Sequence, residues 1–252
     1  MDIKALIAQM TLEEKAGICS GLDFWHTKPV DRLDVPSVMV SDGPHGLRKQ
    51  DDKADHLGMN DSIKAVCMPA ACATAASFDR DLLVKMGESI GTSAQHEQLG
   101  VVLGPAVNIK RSPLCGRNFE YFSEDPRLTG LIAAAITRGV QQEEGYYVTV
   151  KHFACNNQED NRNFVSSNLS ERTLREIYLR GFEICIRNGA KSVMTSYNRV
   201  NGVYSPNSYD LCTKVLRNEW GFNGVVMTDW YSTNKGQANN AVCMKAGNDL
   251  IM

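Results

Sequence analysis

Five short apolar, β-branched runs recur along this chain, and each breaks off into polar or charged residues. Val35-Pro36-Ser37-Val38-Met39-Val40 ends at Ser41-Asp42-Gly43-Pro44-His45-Gly46, and Val101-Val102-Leu103 runs into a loop from Gly104 to Asp125. Tyr146-Tyr147-Val148-Thr149-Val150 ends at Lys151-His152, Ser192-Val193-Met194-Thr195-Ser196 at Tyr197, and Gly224-Val225-Val226-Met227-Thr228 at Asp229-Trp230. Runs that are apolar on both faces suit buried parallel strands covered on each side. Asp is a poor strand residue, so β-propensity does not account for Asp229. Alone, it reads as the cap of a following helix. Beside four other strand ends of the same kind, it reads as a carboxylate delivered into a cleft.

The segments between the runs have helical spacing. Leu82, Leu83, Met86, Ile90 and Ala94 mark a helix over 79–98 that Gly100 stops. Further helices are expected near 126–144, from Ser170 onward with Leu174, Ile177, Tyr178, Phe182 and Cys185 on one face, near 208–219 and near 235–246. Residues 1–20 read as helical, with Thr11 and Glu14 spaced as a capping box. Lys49 to Lys64 is polar and reads as a surface excursion. Strand then helix, repeated, predicts parallel βαβ units. No glycine fingerprint follows the first strand, and the candidate functional residues sit at the ends of many strands rather than at one switch point. The expected fold is therefore α/β, a single (β/α)8 TIM-like barrel over residues 1–252. It is expected to be incomplete at its C-terminal end, because Asp249-Leu250-Ile251-Met252 begins a strand as the chain ends.

Composition narrows the function. At 252 residues the chain can bury a sizeable core, and a formal net charge of -2 gives no electrostatic reason to bind nucleic acid or an anionic membrane. Met1 to Thr11 lacks the apolar core of a secretion signal, and no run approaches the roughly 20 apolar residues of a membrane span. Eight scattered cysteines form no CxxC pair and have no His at ligand spacing. They read as reduced, mostly buried residues of a cytoplasmic protein with no metal and no cofactor.

In a barrel, Asp42, Arg117, Lys151, His152, Tyr197 and Asp229 would converge on one mouth, with Trp25 and Trp230 nearby. Charged groups that pair with hydroxyls, together with ring faces that cover C–H surfaces, describe a pocket for a neutral, polyhydroxylated ligand. Neighbouring Arg and Lys would keep Asp229 ionised. Such a carboxylate suits the nucleophile of a two-step retaining glycosidase, a route that needs a second, protonated partner. No second carboxylate stands at a comparable strand end; Glu120, Glu124 and Glu159 read as loop salt-bridge partners. His26, His45, His56 and His96 read as structural or surface residues.

Ser41-Asp42-Gly43-Pro44-His45-Gly46-Leu47-Arg48, Gly116-Arg117-Asn118-Phe119-Glu120 through Ser123-Glu124-Asp125-Pro126, and Lys151-His152-Phe153-Ala154 with Asn157-Gln158-Glu159 and Arg162 form a linked series. Met194-Thr195-Ser196-Tyr197-Asn198 and Gly221 through Trp230 complete it. The series resembles glycoside hydrolase family 3, β-glucosidase type, over essentially the whole chain. The resemblance implies that Asp229 is the nucleophile and that Asp42, Arg117, Lys151, His152, Arg162 and Tyr197 hold the innermost sugar, with Trp230, Arg48 and Trp25 on the pocket wall. It implies a small β-glucoside or oligosaccharide as substrate. Ala154-Cys155-Asn156-Asn157-Gln158 stands where the N-acetylglucosaminidase branch has a Gly-His-Gly loop, which argues against that branch. In the β-glucosidase type the acid/base is a Glu on a second, α/β sandwich domain, expected here to be absent from the chain. The expectation is a fragment or a shortened protein that takes its acid from elsewhere, through a homo-oligomer or association with the missing domain. A catalytically impaired sugar-binding barrel is the alternative, and a Schiff-base aldolase using Lys151 is a third reading.

Overall fold

The computed structural model describes residues 2–50 and 60–252. Two short helices open the chain, α1 (Ile3–Gln9) and α2 (Leu12–Ile18). The Thr11 hydroxyl accepts from the Glu14 amide while the Glu14 carboxylate accepts from the Thr11 amide, so the expected capping box is present. Strand β1 (Val40–Asp42) leads to α3 (Ala71–Ala75), α4 (Arg80–His96), β2 (Val101–Leu103), α5 (Pro126–Val140) and β3 (Tyr147–Phe153). After β4 (Ser166–Ser167), the helix α6 (Glu171–Thr173) passes through a π-helical turn, Leu174–Tyr178, into α7 (Arg180–Arg187). Strands β5 (Ser192–Thr195), β6 (Arg199–Val200) and β7 (Val203–Tyr204) follow, then a π-helical segment Asp210–Glu219, strand β8 (Val225–Met227) and helix α8 (Asn240–Ala246).

The main sheet has five strands in the order β1-β2-β3-β5-β8, every neighbouring pair parallel, with a small three-stranded sheet β4-β6-β7 beside it. This is the expected α/β architecture of successive parallel strands, and among the described residues no strand closes it into a ring. Single bridge pairs carry it part-way round: Met227 to Leu250 and Ser20 to Ile251 in parallel, then Gly21 to Thr27 and His26 to Met39 antiparallel.

The strands are covered on both faces, as their uninterrupted apolar character requires. Val148, Val150, Val193 and Val226 turn outward into a core shared with Leu83, Met86, Ile90, Ile132 and Ile136 of α4 and α5. Val40, Leu103, Met194 and Met227 turn inward with Trp25 and Leu250. Helices α4 and α5 approach through glycine: a Cβ at Gly139 would lie 2.2 Å from the Val84 carbonyl oxygen, and one at Gly87 would lie 2.4 Å from that of Ile136.

Several boundaries differ from the sequence reading. Pro36 supplies no ladder donor, and the Val35–Val40 run contributes only its last residue to β1. Helix α5 stops at Val140, where polar Gln141 to Glu144 meet Gly145 at φ 91°. Helix α8 begins only at Asn240, because Gly236 has φ 88° and the Asn239 side chain caps Val242. The Lys49–Lys64 excursion is pinned at its base by a Gln50–Ser62 bridge, while its residues 51–59, His56 included, lie outside the described residues.

Candidate active site

The polar side chains stand at the C-terminal ends of the parallel strands. Asp42 ends β1, Lys151 and His152 lie near the end of β3, and Tyr197 and Asp229 each come two residues after β5 and β8. Arg117 and Arg162 lie on the loops that follow β2 and β3. The strands therefore deliver these groups to one end of the sheet, as in barrel enzymes.

Packing holds β3 tightly where it carries the site. The Asn108 side-chain amide donates to the His152 carbonyl at 2.9 Å, and its oxygen accepts from the His152 amide at 2.8 Å. Asn108 thus supplies the hydrogen bonds that a neighbouring strand would have made. The Val107 amide donates to the Lys151 carbonyl, and the Lys151 amide to that of Pro105. The Lys151–His152 and Phe153–Ala154 peptide bonds are cis.

Charges alternate around the site. Lys151 Nζ lies 3.0 Å from Asp42 Oδ1 and 3.7 Å from Glu120 Oε2. Arg117 Nε donates to the other Glu120 oxygen. Arg162 Nη1 is 2.6 Å from Glu159 Oε2, and its guanidinium lies 4.3 Å from the centre of the Tyr197 ring. His152 Nε2 is 3.7 Å from Asp229 Oδ2, while Asp229 Oδ1 accepts from the Trp230 amide at 2.9 Å. Asp229 is 5% exposed, and its Oδ2 is buried without a hydrogen-bond partner. The Tyr197 hydroxyl acts on the Asp229 carboxyl as a hydrogen-bond donor would, although its geometry falls short of a full hydrogen bond to Oδ2.

Burial acts on Asp229, Asp42, Lys151, His152 and Tyr197. It raises the Asp229 pKa, and Arg117, Lys151, Tyr197 and Arg162 oppose it without cancelling it. The neighbouring cations thus offset part of the cost of ionising Asp229, as the sequence reading expects, but the net shift is upward because desolvation is larger. Burial also opposes the charge on Asp42, where the Lys151 ammonium with Arg117 and Arg48 prevails and lowers the pKa. Lys151 goes the other way: Asp42 and Glu120 outweigh burial and hold it as an ammonium. A Schiff-base lysine needs a depressed pKa, so this pairing removes the support for the aldolase reading. Burial, with Arg117, Lys151 and Arg162 adding to it, drives the His152 pKa well down, leaving a neutral imidazole. Burial and the Asp229 charge keep the Tyr197 phenol protonated.

The wall positions fare differently. A cavity of about 330 Å³ is lined by Asp42, His45, Arg48, Arg117, Glu120 and Lys151, so Arg48 stands with the polar groups. Trp25 and Trp230 line a separate hollow of about 310 Å³ with Phe24, Tyr231, Ile251 and Met252. Trp25 is 7% exposed, donates its indole N–H to Gln50 at 3.0 Å and belongs to the inward-facing core. Trp230 stacks on Phe24 at 5.2 Å. Two residues emerge that the strand-end pattern did not single out. Glu120 is a loop ion-pair partner as expected, yet it is 3% exposed and bridges two pocket cations. Asn108 carries β3; its one signal in the sequence is a lone amide between the apolar Ala106-Val107 and Ile109. The eight cysteines are free thiols, five of them buried.

A profile of the glycosyl hydrolase family 3 N terminal domain matches residues 37–252. The chain belongs to glycosyl hydrolase family 3. It is 51% identical to thermostable beta-glucosidase B of Acetivibrio thermocellus over all of this chain and 33% of that protein. It is 47% identical to an exo-alpha-(1->6)-L-arabinopyranosidase of Bifidobacterium longum over 89% of this chain and 30% of that protein. Among solved structures, beta-glucosidase 3B from Thermotoga neapolitana, with glycerol bound, superposes at a TM-score of 0.91 and 40% identity, covering 100% of this chain and 36% of that one. Beta-glucosidase from Kluyveromyces marxianus, with glucose bound, superposes at 0.92 and 39% identity, covering 100% and 29%. The family 3 chain thus spans about a third of the length of the curated relatives it matches.

Proposed function

We propose that this family 3 domain carries the sugar site and nucleophile of a retaining β-glucosidase that hydrolyses terminal, non-reducing β-D-glucosyl residues. One observation carries the reading: Asp229 Oδ2 is buried, lacks a hydrogen-bond partner and lies among Arg117, Lys151, His152, Arg162 and Tyr197. A carboxylate oxygen left without a partner is costly unless a substrate or reaction uses it. Relatives that are β-glucosidases, at 51% and 45% identity, support glucose as the sugar.

In the first step Asp229 Oδ2 attacks the anomeric carbon and forms the C–O bond of a glycosyl ester while the bond to the aglycone oxygen breaks. That oxygen leaves as an anion if activated, or takes a proton from a general acid. Water then attacks the same carbon, Asp229 departs as a carboxylate, and the water's proton passes to the base. We place the acid/base Glu outside these 252 residues. Asp42 accepts from sugar hydroxyls, the protonated Lys151, Arg117 and Arg162 donate to them, and neutral His152 and Tyr197 donate N–H and O–H.

The test is trapping by 2,4-dinitrophenyl 2-deoxy-2-fluoro-β-glucoside, whose leaving group departs without a proton. The expected result is one added fluoroglucosyl mass on the peptide holding Asp229. A label on any other residue would sink the assignment. Faster turnover of 4-nitrophenyl α-L-arabinopyranoside than of the matching β-glucoside would replace the sugar while leaving the nucleophile in place.

A further inference from the structure

Glu120 lines the cavity with Asp42 and Lys151, and no step of the proposed reaction uses its carboxylate. Its Oε1 accepts from Arg117 Nε and its Oε2 lies 3.7 Å from Lys151 Nζ, so one buried side chain spans both cations. The same two cations act on Asp229, and Arg117 is held charged against burial chiefly by Glu120, with Tyr121 and Asp229 adding to it. Both Glu120 oxygens face cations and its side chain is 4% exposed, which leaves it little surface to offer a sugar hydroxyl. We propose that Glu120 is a positioning residue: it sets Arg117 and Lys151 in their places around the sugar and neutralises part of the positive charge that would otherwise fall on Asp229.

Arg117, Lys151, His45, Tyr121 and Cys115 surround Glu120, and Arg117, Lys151, Arg162, Tyr197 and His152 surround Asp229. Removing the Glu120 charge leaves Arg117 and Lys151 less balanced, so Asp229 ionises more readily. Merely loosening the loop would weaken the cationic field and move Asp229 the other way, if at all.

The inference rests on Asp229 being the nucleophile, and the experiment separates the two. The second-order rate of trapping by the dinitrophenyl fluoroglucoside is followed against pH in the full chain, with the labelled residue mapped by mass. If the unsubstituted protein is not labelled at Asp229, the proposed function fails before Glu120 is addressed. Given that label, Glu120→Gln is expected to move the acid limb down by roughly one pH unit and to slow the plateau by about tenfold. Glu120→Asp keeps the charge but cannot span both cations; its limb is expected to stay in place while the plateau falls by about as much. An acid limb in Glu120→Gln that stays put or rises overturns the proposal. If a thermal melt shows that Glu120→Gln does not fold, Glu120→Asp decides: an unchanged trapping rate overturns it, and a slower plateau on an unmoved limb supports it.

Discussion

Asp229 and His152 face each other across 3.7 Å with their pKa values pushed in opposite directions, both mainly by burial. Each shift favours the neutral form, and the consequences for pH differ. The proposed nucleophile must be ionised, so an Asp229 pKa above its ordinary value should put the acid limb of trapping above the usual aspartate range of about 4. A limb at or below that value would mean that the cations outweigh burial after all. For His152 the unfolded chain binds the proton near its ordinary value of about 6.5 while the folded protein resists it. Its contribution is therefore fully present above that value and is lost as pH falls from there toward the folded pKa. We expect urea midpoints to fall between pH 7 and 5, with a shallower fall in His152→Asn; an equal slope in that variant would assign the effect to other groups, of which His45, lowered by burial, is the first candidate.

At the scale of elements, β3 depends on a side chain in place of a strand neighbour, and α4 and α5 depend on having no side chains where they cross. Asn108→Ala would leave the His152 amide and carbonyl buried without partners. The expected cost is about 2 to 4 kcal/mol, read from denaturant unfolding, and a loss of sugar affinity should accompany it. A variant as stable as the parent would show that water or backbone replaces the amide. Gly139→Ala would set a methyl 2.2 Å from a backbone oxygen of α4, where no flexible side chain can yield. About 1 to 3 kcal/mol of destabilisation is expected from this overpacking, and an unchanged melting temperature would mean that the helices slide apart freely. The existence of these elements was legible from apolar periodicity, and the capping box from two residues three apart. Helix ends were less so, because a glycine at positive φ or an Asn cap further along the chain decides where a helix stops or starts.

For the whole molecule, the proposed division of labour makes a rate prediction. With the acid supplied from outside these residues, the chain alone should trap and turn over activated aryl glucosides while cellobiose is slower by about 10² to 10⁴. Equal turnover of the two in stopped assays would place an acid within the chain. Among the described residues no helix is long and apolar enough to cross a membrane, and no group of three His, Cys, Asp or Glu is arranged to hold a metal ion. The sequence by itself determined the α/β class and which residues come to lie at strand ends, because alternation of apolar runs with helical spacing is a local property that each segment expresses alone. Only the tertiary structure decided the partnerships. Lys151 meets Asp42 across 109 positions of sequence, Trp25 sinks into the inward core beside Met194 and Met227, and Glu120 finds two cations at once. Ion pairs and burial depend on which strands sit side by side and in what register, and no residue carries that information until the sheet has formed.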